Sequence, residues 1–500
     1  MDRLSSLDLS FLAMETADTP MHLGAVLIFR PAAVDDGRDE PGGELAARLA
    51  TVLAARAAGV PRLRQRLSGG GLGLGGPGWV EDAGFDPARH IRLSRLPAPG
   101  GRDELALQVA ESLAVPLDRD RPVWELHVLA GMADGSVAVL AKIHHALADG
   151  LRAVVLGMAL FDQPDTTSPQ PSVPAASAAD TSVTGTSAAE TSRAGLAARL
   201  AGAAAAGLTG PARAMLNPTL VSSELARYAG QTRDVAAIGA SIAAAVARPA
   251  PACLTLNPAA ARRYAALTAA ADGPARRFAM LSLDLDAVRT VGKTHGGTVN
   301  DVLLTVLAGG LRSWLAERGH PQPRPLRALV PVSRPHPDPG GNRLSGYLVE
   351  LPVNDPDPLA RLSRVRAAMR ANKTAGPSRG PGAFPLLAEQ TPQLVHRLAA
   401  PIVAPLTAPL AGRLFNTVIT HVPLPRVHLA VDGAPLTEVY PVVPLAAGQA
   451  LGIAISTYQS VAHLGLRADH ATIPDLDRLT GHIHTALDEL GAQPAPRQHD

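Results

Sequence analysis

Hydrophobic and polar positions along the 500-residue chain form two patterned stretches around one without pattern. From Gln163 to Ser192 there is no Ile, Leu, Met, Phe, Trp or Tyr. Such a segment of Ala, Ser, Thr, Pro and Asp cannot bury enough apolar surface to offset its ordering entropy. Residues 163–193 therefore read as a flexible linker that separates an N-terminal part, 1–162, from the rest. Residues 194–275 are Ala-rich with periodic Leu, Val and Ile, and Val235 to Ala247 is a strong helix former. That stretch reads as a helical connector packed on the body, with a membrane- or partner-facing hairpin as the alternative.

Ordered patterning resumes at residue 276 and runs to 490, ahead of a short tail, 491–500. Phe278 to Leu283 alternates like a strand and Leu285 to Thr294 has the helical period. Thr298-Val299-Asn300-Asp301 opens a helix expected over Val302 to Arg318. Strands are expected at Leu326 to Val332, Leu344 to Pro352, Asn416 to Val422, Leu451 to Tyr458 and His463 to Ala468, and a closing helix at Asp475 to Leu490. Strands and helices alternate in both parts, so the predicted class is α/β with mixed sheets. There is no short-period internal repeat.

The segment richest in chemistry is Val137 to Gly150. An apolar run, Val137 to Ile143, reads as a strand ending at His144-His145. A turn closing on Asp149-Gly150 follows, and Leu151 to Phe161 reads as a helix. Successive strand side chains point to opposite faces. The two histidines therefore do not readily share one ligand, and one is expected to face a cleft. A neutral imidazole there can take a proton from a hydroxyl near pH 7. Asp149 either fixes the loop or orients the imidazole, and Gly150 permits backbone conformations that other residues resist. A structural His pair is the plainer reading. A metal on His144, His145 and Asp149 is disfavoured, because the i, i+4 helical pair of zinc hydrolases is missing.

Composition narrows the function classes. Charged residues are 18% and hydrophobic ones 46%, compatible with a large core. A net charge of +2 makes no case for nucleic acid as a partner. A single cysteine, Cys253, excludes an intramolecular disulfide and a multi-cysteine metal site. No run of 18 apolar residues offers a spanning helix, since Pro401, Pro405 and Pro409 break the nearest one, Leu398 to Gly412. With no signal-peptide core at Met1 to Asp8, the expectation is a soluble cytoplasmic protein, with peripheral contact to the inner face of the plasma membrane or to lipid droplets left open.

The order His-His-x-x-x-Asp-Gly after a strand resembles the CoA-dependent acyltransferase superfamily of the chloramphenicol acetyltransferase fold. The wider chain is similar to one branch, the bacterial wax ester synthase/diacylglycerol acyltransferases. The resemblance is carried by Leu4 to Phe11 with Met21-His22-Leu23-Gly24, by Pro61 to Leu67, and by Arg121-Pro122-Val123-Trp124-Glu125-Leu126. It continues through Thr298 to Val302, Gly341-Asn342-Arg343, Tyr440 to Leu445, and Leu464 to Asp469 leading to Pro474-Asp475. It covers about 1–162 and 276–490. The chain departs from it in three places. Pro122-Val123-Trp124 replaces Pro-Leu-Trp. Thr420-His421-Val422-Pro423-Leu424-Pro425 replaces Ser-Asn-Val-Pro-Gly-Pro in a loop near the family's acceptor region. The long linker is the third.

The resemblance implies a two-lobed fold with mixed sheets, helices and an active-site tunnel between lobes. It implies His145 as general base on an acceptor hydroxyl, which attacks the thioester of an acyl-CoA without a covalent enzyme intermediate. His144, Asp149 and Gly150 would hold the loop, with an arginine as the partner of Asp149. Asn300 would polarise the carbonyl or position substrate, although Asn300 and Asp301 also sit where a helix cap is expected. Trp124 is a substrate-binding candidate whose plainer reading, shared with Trp314, is a core anchor. The expected partners are acyl-CoA and a diacylglycerol or long-chain alcohol, giving triacylglycerol or wax ester, with no cofactor or metal. The alternatives are a superfamily enzyme using another thioester or acceptor, a non-catalytic lipid-binding relative, and a metal-dependent hydrolase. Among the remaining features, Gly71 to Gly76 matches G-x-G-x-x-G but is followed by Pro77-Gly78-Trp79 and reads as a loop. Cys253 has no nearby histidine in sequence and is not expected to be a nucleophile. The pairs Arg262-Arg263 and Arg276-Arg277 read as solvated faces, with a CoA phosphate or lipid head group as the alternative.

Overall fold

The computed structural model describes residues 2–31, 42–68, 78–162, 276–333, 344–376, 415–445 and 449–494. The linker, the Ala-rich connector, the Gly71 to Gly76 run, Cys253, Arg262-Arg263, Gly341 to Arg343 and Leu398 to Gly412 lie outside them. The N-terminal part contains β1 (Asp2–Arg3), α1 (Ser6–Met14), β2 (His22–Phe29), α2 (Gly42–Ala58), β3 (Gln65–Ser68), β4 (Gly78–Glu81) and β5 (Ile91–Arg95). It continues with α3 (Arg102–Ala114), β6 (Trp124–Ala130), β7 (Val137–His144) and α4 (Gly150–Met158). After residue 275 come β8 (Arg276–Asp284), α5 (Leu285–His295), α6 (Val299–Glu317), β9 (Leu326–Ser333), β10 (Leu344–Leu351) and α7 (Pro358–Ala375). The chain closes with β11 (Thr417–Pro423), β12 (Ala430–Val431), β13 (Ala434–Val442), β14 (Leu451–Tyr458), β15 (Val461–Asp469) and α8 (Leu476–Gly491).

Two six-stranded sheets form the two lobes, in the orders β12-β13-β2-β7-β6-β5 and β10-β9-β11-β14-β15-β8. Both are mixed: β5 runs parallel to β6, and β11 runs parallel to β9 and β14. The expected α/β class with mixed sheets is what the chain forms. A third, small sheet orders β1-β4-β3.

The lobes do not follow the division of the sequence. Strand β13, from the C-terminal stretch, joins the N-terminal sheet and pairs antiparallel with β2, Tyr440 opposite Val26 and Val442 opposite Gly24. This supplies hydrogen-bond partners to what would be an open edge of β2. The crossing is tight. A Cβ on Gly465 of β15 would lie 2.0 Å from the Pro441 carbonyl oxygen, so only glycine lets β13 pass. A shared core follows from the crossing, with Phe278, Tyr440 and Val442 packing on Leu105, Val109 and Leu113 of α3 and on Val26 and Leu140.

Polar groups pin the same junction. Lys142 Nζ donates to the Val115 carbonyl at 2.6 Å and Arg467 Nη2 donates to the Leu113 carbonyl at 3.2 Å, so one cation from each lobe caps the C-terminus of α3. Arg276, read from sequence as one of a solvated pair, is instead buried and bonded to Asp469 at 3.0 Å and to the Asp18 carbonyl at 2.6 Å.

Local signals explain the element ends. Helix α6 starts three residues before the expected Val302 because Thr298 and Asp301 form a reciprocal capping box. Helix α5 begins at the Asp284 cap and stops at Gly296, whose φ of 73° is left-handed. No helix among the described residues is long and apolar enough to cross a membrane.

Candidate active site

The site is built where β7 ends. Strand β2 pairs with β7 so that His22 faces His144, which requires Gly24: a Cβ there would lie 1.9 Å from the Ala141 carbonyl oxygen. The chain beyond β7 is then held from both sides. The His144 N–H donates to the Val123 carbonyl at 3.0 Å, and the His145 N–H donates to the Met21 carbonyl at 2.8 Å. The two adjacent residues are fixed to different neighbours.

His144 is buried. Its Nδ1 accepts the Ala146 N–H at 3.0 Å, which places the ring proton of the neutral form on Nε2. That nitrogen lies 3.3 Å from Glu15 Oε2. The carboxylate of Glu15 is 6% exposed and sits at the C-terminal end of α1. Burial pushes this carboxyl up, but His144, Arg119 and the Met21 N–H outweigh it and hold the group down at about 2. His22 completes the cluster. It is buried, its Nε2 accepts the Leu117 N–H at 3.3 Å, and burial together with the nearby Lys142 charge pushes it down to about 2.

His145 is half-buried, and its ring stacks on Phe11 of α1 with centroids 3.8 Å apart and planes 17° from parallel. Its Nδ1 is buried against the protein. Burial pushes the imidazole down to about 4, partly offset by its own main chain and assisted by the neighbouring His144. At neutral pH the ring is therefore the free base, the form a proton acceptor requires.

Asp149 is buried and caps α4, its Oδ1 accepting the Arg152 N–H at 2.9 Å. Among the described residues Asp149 bonds to this main-chain N–H and to no guanidinium. Gly150 begins α4 where Val422 Cγ2 would stand 3.2 Å from an added Cβ. The Thr420 to Pro425 segment, which departs from the family pattern, therefore reaches the motif loop through β11. Its His421 carries a buried Nε2, and burial pushes that imidazole down to about 4.

The other sequence candidates lie elsewhere. Asp301 is spent on the cap of α6, its Oδ2 accepting the Thr298 N–H at 2.9 Å and the Thr298 hydroxyl at 2.7 Å. Asn300 is half-buried in the first turn of that helix. Among the described residues neither bonds to His144, His145 or Asp149. Trp124, named as a substrate-binding candidate, is 2% exposed, donates to the Leu63 carbonyl at 2.7 Å and stacks on His90. It is a core anchor, and so is the fully buried Trp314, which donates to Asp475 at 3.1 Å. Among the described residues no three His, Cys, Asp or Glu side chains come together as a metal site.

Sequence reasoning missed Phe11, Glu15 and His22 as parts of the site. The available signal was position: all three fall within or beside the N-terminal stretch Leu4 to Gly24, whose order resembles the family.

Comparison with known proteins places this geometry. Residues 4–303 match the wax ester synthase/diacylglycerol acyltransferase catalytic domain, and residues 340–491 match the C-terminal domain of the same family. A Mycobacterium tuberculosis protein named as a diacylglycerol O-acyltransferase is 32% identical over 97% of this chain and 99% of its own. A second from that organism is 31% identical over 98% and 96%. The solved wax ester synthase/diacylglycerol acyltransferase of Marinobacter aquaeolei VT8 superposes with a TM-score of 0.64 at 26% identity, covering 98% of each chain. The first condensation domain of the calcium-dependent antibiotic synthetase, at 16% identity and a TM-score of 0.54, shares the two-lobed fold. With both of its domains matched and relatives aligned along nearly their whole length, the chain belongs to the wax ester synthase/diacylglycerol acyltransferase family.

Proposed function

We propose that the protein transfers a fatty acyl group from acyl-CoA to a diacylglycerol or a long-chain alcohol, forming triacylglycerol or wax ester, with His145 as general base. The observation that supports this reading is the setting of His145: an imidazole at the end of β7, stacked on Phe11, with Nδ1 buried and with burial holding it below its ordinary value, at about 4. In the first step the acceptor hydroxyl gives its proton to Nε2 as its oxygen bonds to the thioester carbonyl carbon. The tetrahedral adduct then collapses, the C–S bond breaks, and the imidazolium returns the proton to the CoA sulfur. No bond to the enzyme forms, and the ring ends neutral. A base so placed contributes roughly 10²–10⁴ in rate.

Asp149 and His144 act on the loop that carries the base. A lipid surface is the natural source of such acceptors, and the exposed Leu151 (43%) and Val155 (60%), one turn apart on the helix leaving the motif, support peripheral contact there. The test is to incubate the purified protein with radiolabelled palmitoyl-CoA and a panel of alcohols, diacylglycerols and amines. Labelled wax ester or triacylglycerol is expected. Labelled amide, or no turnover of any free thioester, would overturn the assignment.

A further inference from the structure

We infer that Glu15 is the positioning residue of the catalytic base, its carboxylate holding both motif histidines, one by its ring and the other through the main chain. The inference rests on the reading of His145 as general base.

The geometry is a short circuit. Glu15 Oε2 lies 3.3 Å from His144 Nε2, the nitrogen that carries the proton because Nδ1 already accepts the Ala146 N–H. Glu15 Oε1 accepts the Met21 N–H at 3.1 Å, and the Met21 carbonyl accepts the His145 N–H at 2.8 Å. Both the loop residue and the base residue are thus referred to one carboxylate. Helix α1 adds a second hold on the base, since Phe11, one turn before Glu15, stacks on the His145 ring. The helix itself is fixed at its start by the Ser5–Asp8 capping box.

The partners explain why the group is a carboxylate. The Met21 N–H and the Arg119 guanidinium donate to Glu15, and the His144 Nε2 edge faces it at an ion-pair distance of 3.3 Å, so an acceptor-only group suits all three. Glutamine would turn its NH₂ toward at least one of them. The ion is not there for surface stability, because its side chain is 6% exposed while Arg119 is 44% exposed. A base must reach the hydroxyl within about 2.6–3.2 Å, and a misplacement of about 1 Å can cost about 100-fold.

The experiment compares Glu15→Gln with wild type, using palmitoyl-CoA, the best acceptor of the panel and an analogue of it fluorinated beside the hydroxyl carbon. A more acidic hydroxyl needs less help from the base. Glu15→Gln should lose about 100-fold in kcat with the ordinary acceptor, with KM for palmitoyl-CoA within about twofold, and about 10-fold or less with the fluorinated one. The ratio of the two losses does not depend on how much of the sample is folded, so a destabilised variant still decides the question. Equal losses with both acceptors, or no loss, would overturn the positioning role. His145→Ala separates the two ideas. Wild-type turnover in that variant removes the general base itself, whereas an inactive His145→Ala beside equal losses in Glu15→Gln removes only the role of Glu15.

Discussion

Two helices in this protein start in nearly the same way and serve different ends. At α6, Asp301 and Thr298 satisfy one another, with Thr298 Oγ1 also accepting the Asp301 N–H at 3.2 Å. At α4, Asp149 likewise caps the first turn through the Arg152 N–H. The difference lies just upstream. The chain entering α6 brings only its own cap. The chain entering α4 brings two imidazoles, each tied by its main chain to a different segment, and one of them is stacked on Phe11 of α1. A closed hydrogen-bond circuit stabilises a helix. A circuit that holds a basic group by its main chain and its ring face fixes where that group can meet a reactant.

The largest expected effect separates the two regions outright. His145→Ala should lower kcat/KM by about 10²–10⁴ while leaving the melting temperature within about 2 °C, because a half-buried ring in a turn carries little of either lobe's core. Steady-state kinetics beside thermal unfolding check this. Wild-type turnover in the purified variant would remove the distinction between the two helix starts.

Much of this contrast was legible in the sequence, and the part that was not has physical reasons. The strand into His144 and the helix after Asp149 follow from apolar runs interrupted by polar turn residues, and β14 occupies the stretch Leu451–Tyr458 that its pattern indicates. Strand β13 was not anticipated, because Ala434–Val442 alternates weakly and gains its partners only by crossing to the other lobe. Helix α7 was also passed over: its arginines obscure the buried series Leu362, Val365 and Met369. The domain division drawn at the linker treats the lobes as consecutive, whereas β13 and the shared core on α3 interleave them. Asn300, Asp301 and Trp124 were chosen by residue type and resemblance. Burial and hydrogen bonding, which no single sequence displays, assign Asp301 to a cap and Trp124 to the core. Glu15 escaped notice for the complementary reason: it lies 129 residues from its partner His144, and its only mark in the sequence is its place beside the family-like N-terminal stretch.

Next in size is the response to acid, which sharpens the contrast because α6 contributes no buried imidazole to it. Burial holds His145 at about 4, below the ordinary value of 6.5, so the base stays unprotonated well below neutrality. Initial rates after a jump from pH 7.5 to pH 5 should give kcat/KM for folded enzyme within about twofold of the neutral value, falling about tenfold per unit only below pH 4. Stability behaves differently. His22, His145, His421 and His463 all have folded-state values depressed below 6.5. The unfolded chain therefore binds more protons between pH 6.5 and about 4, and stability present above pH 6.5 is lost as the pH falls through that window. Melting temperature should drop across it. An acid limb of kcat/KM near 6.5 would show that the ring is not held as the geometry requires.

Asp149→Ala comes third and tests whether the cap at α4 also serves the site. Losing the bond to the Arg152 N–H should cost about 1 kcal/mol. Because the same turn positions His145, kcat should fall as well, by about 10-fold. A loss of turnover at unchanged melting temperature would make Asp149 a participant in the reaction instead of a support for its loop.

The smallest effect is expected at Asp301, and it is the one that most directly breaks or upholds the comparison. Asp301→Ala removes the acceptor for the Thr298 N–H and hydroxyl, so α6 should lose about 1 kcal/mol and the melting temperature should fall by about 2–4 °C. Turnover per folded molecule should stay within about twofold, since the carboxylate is occupied by Thr298 and touches neither histidine. Asp301→Asn keeps an acceptor oxygen and should recover part of the stability. If Asp301→Ala instead melts like wild type and loses turnover, the Asn300-Asp301 turn is part of the chemistry, and a closed hydrogen-bond circuit ceases to be a sufficient sign of a purely structural role in this fold.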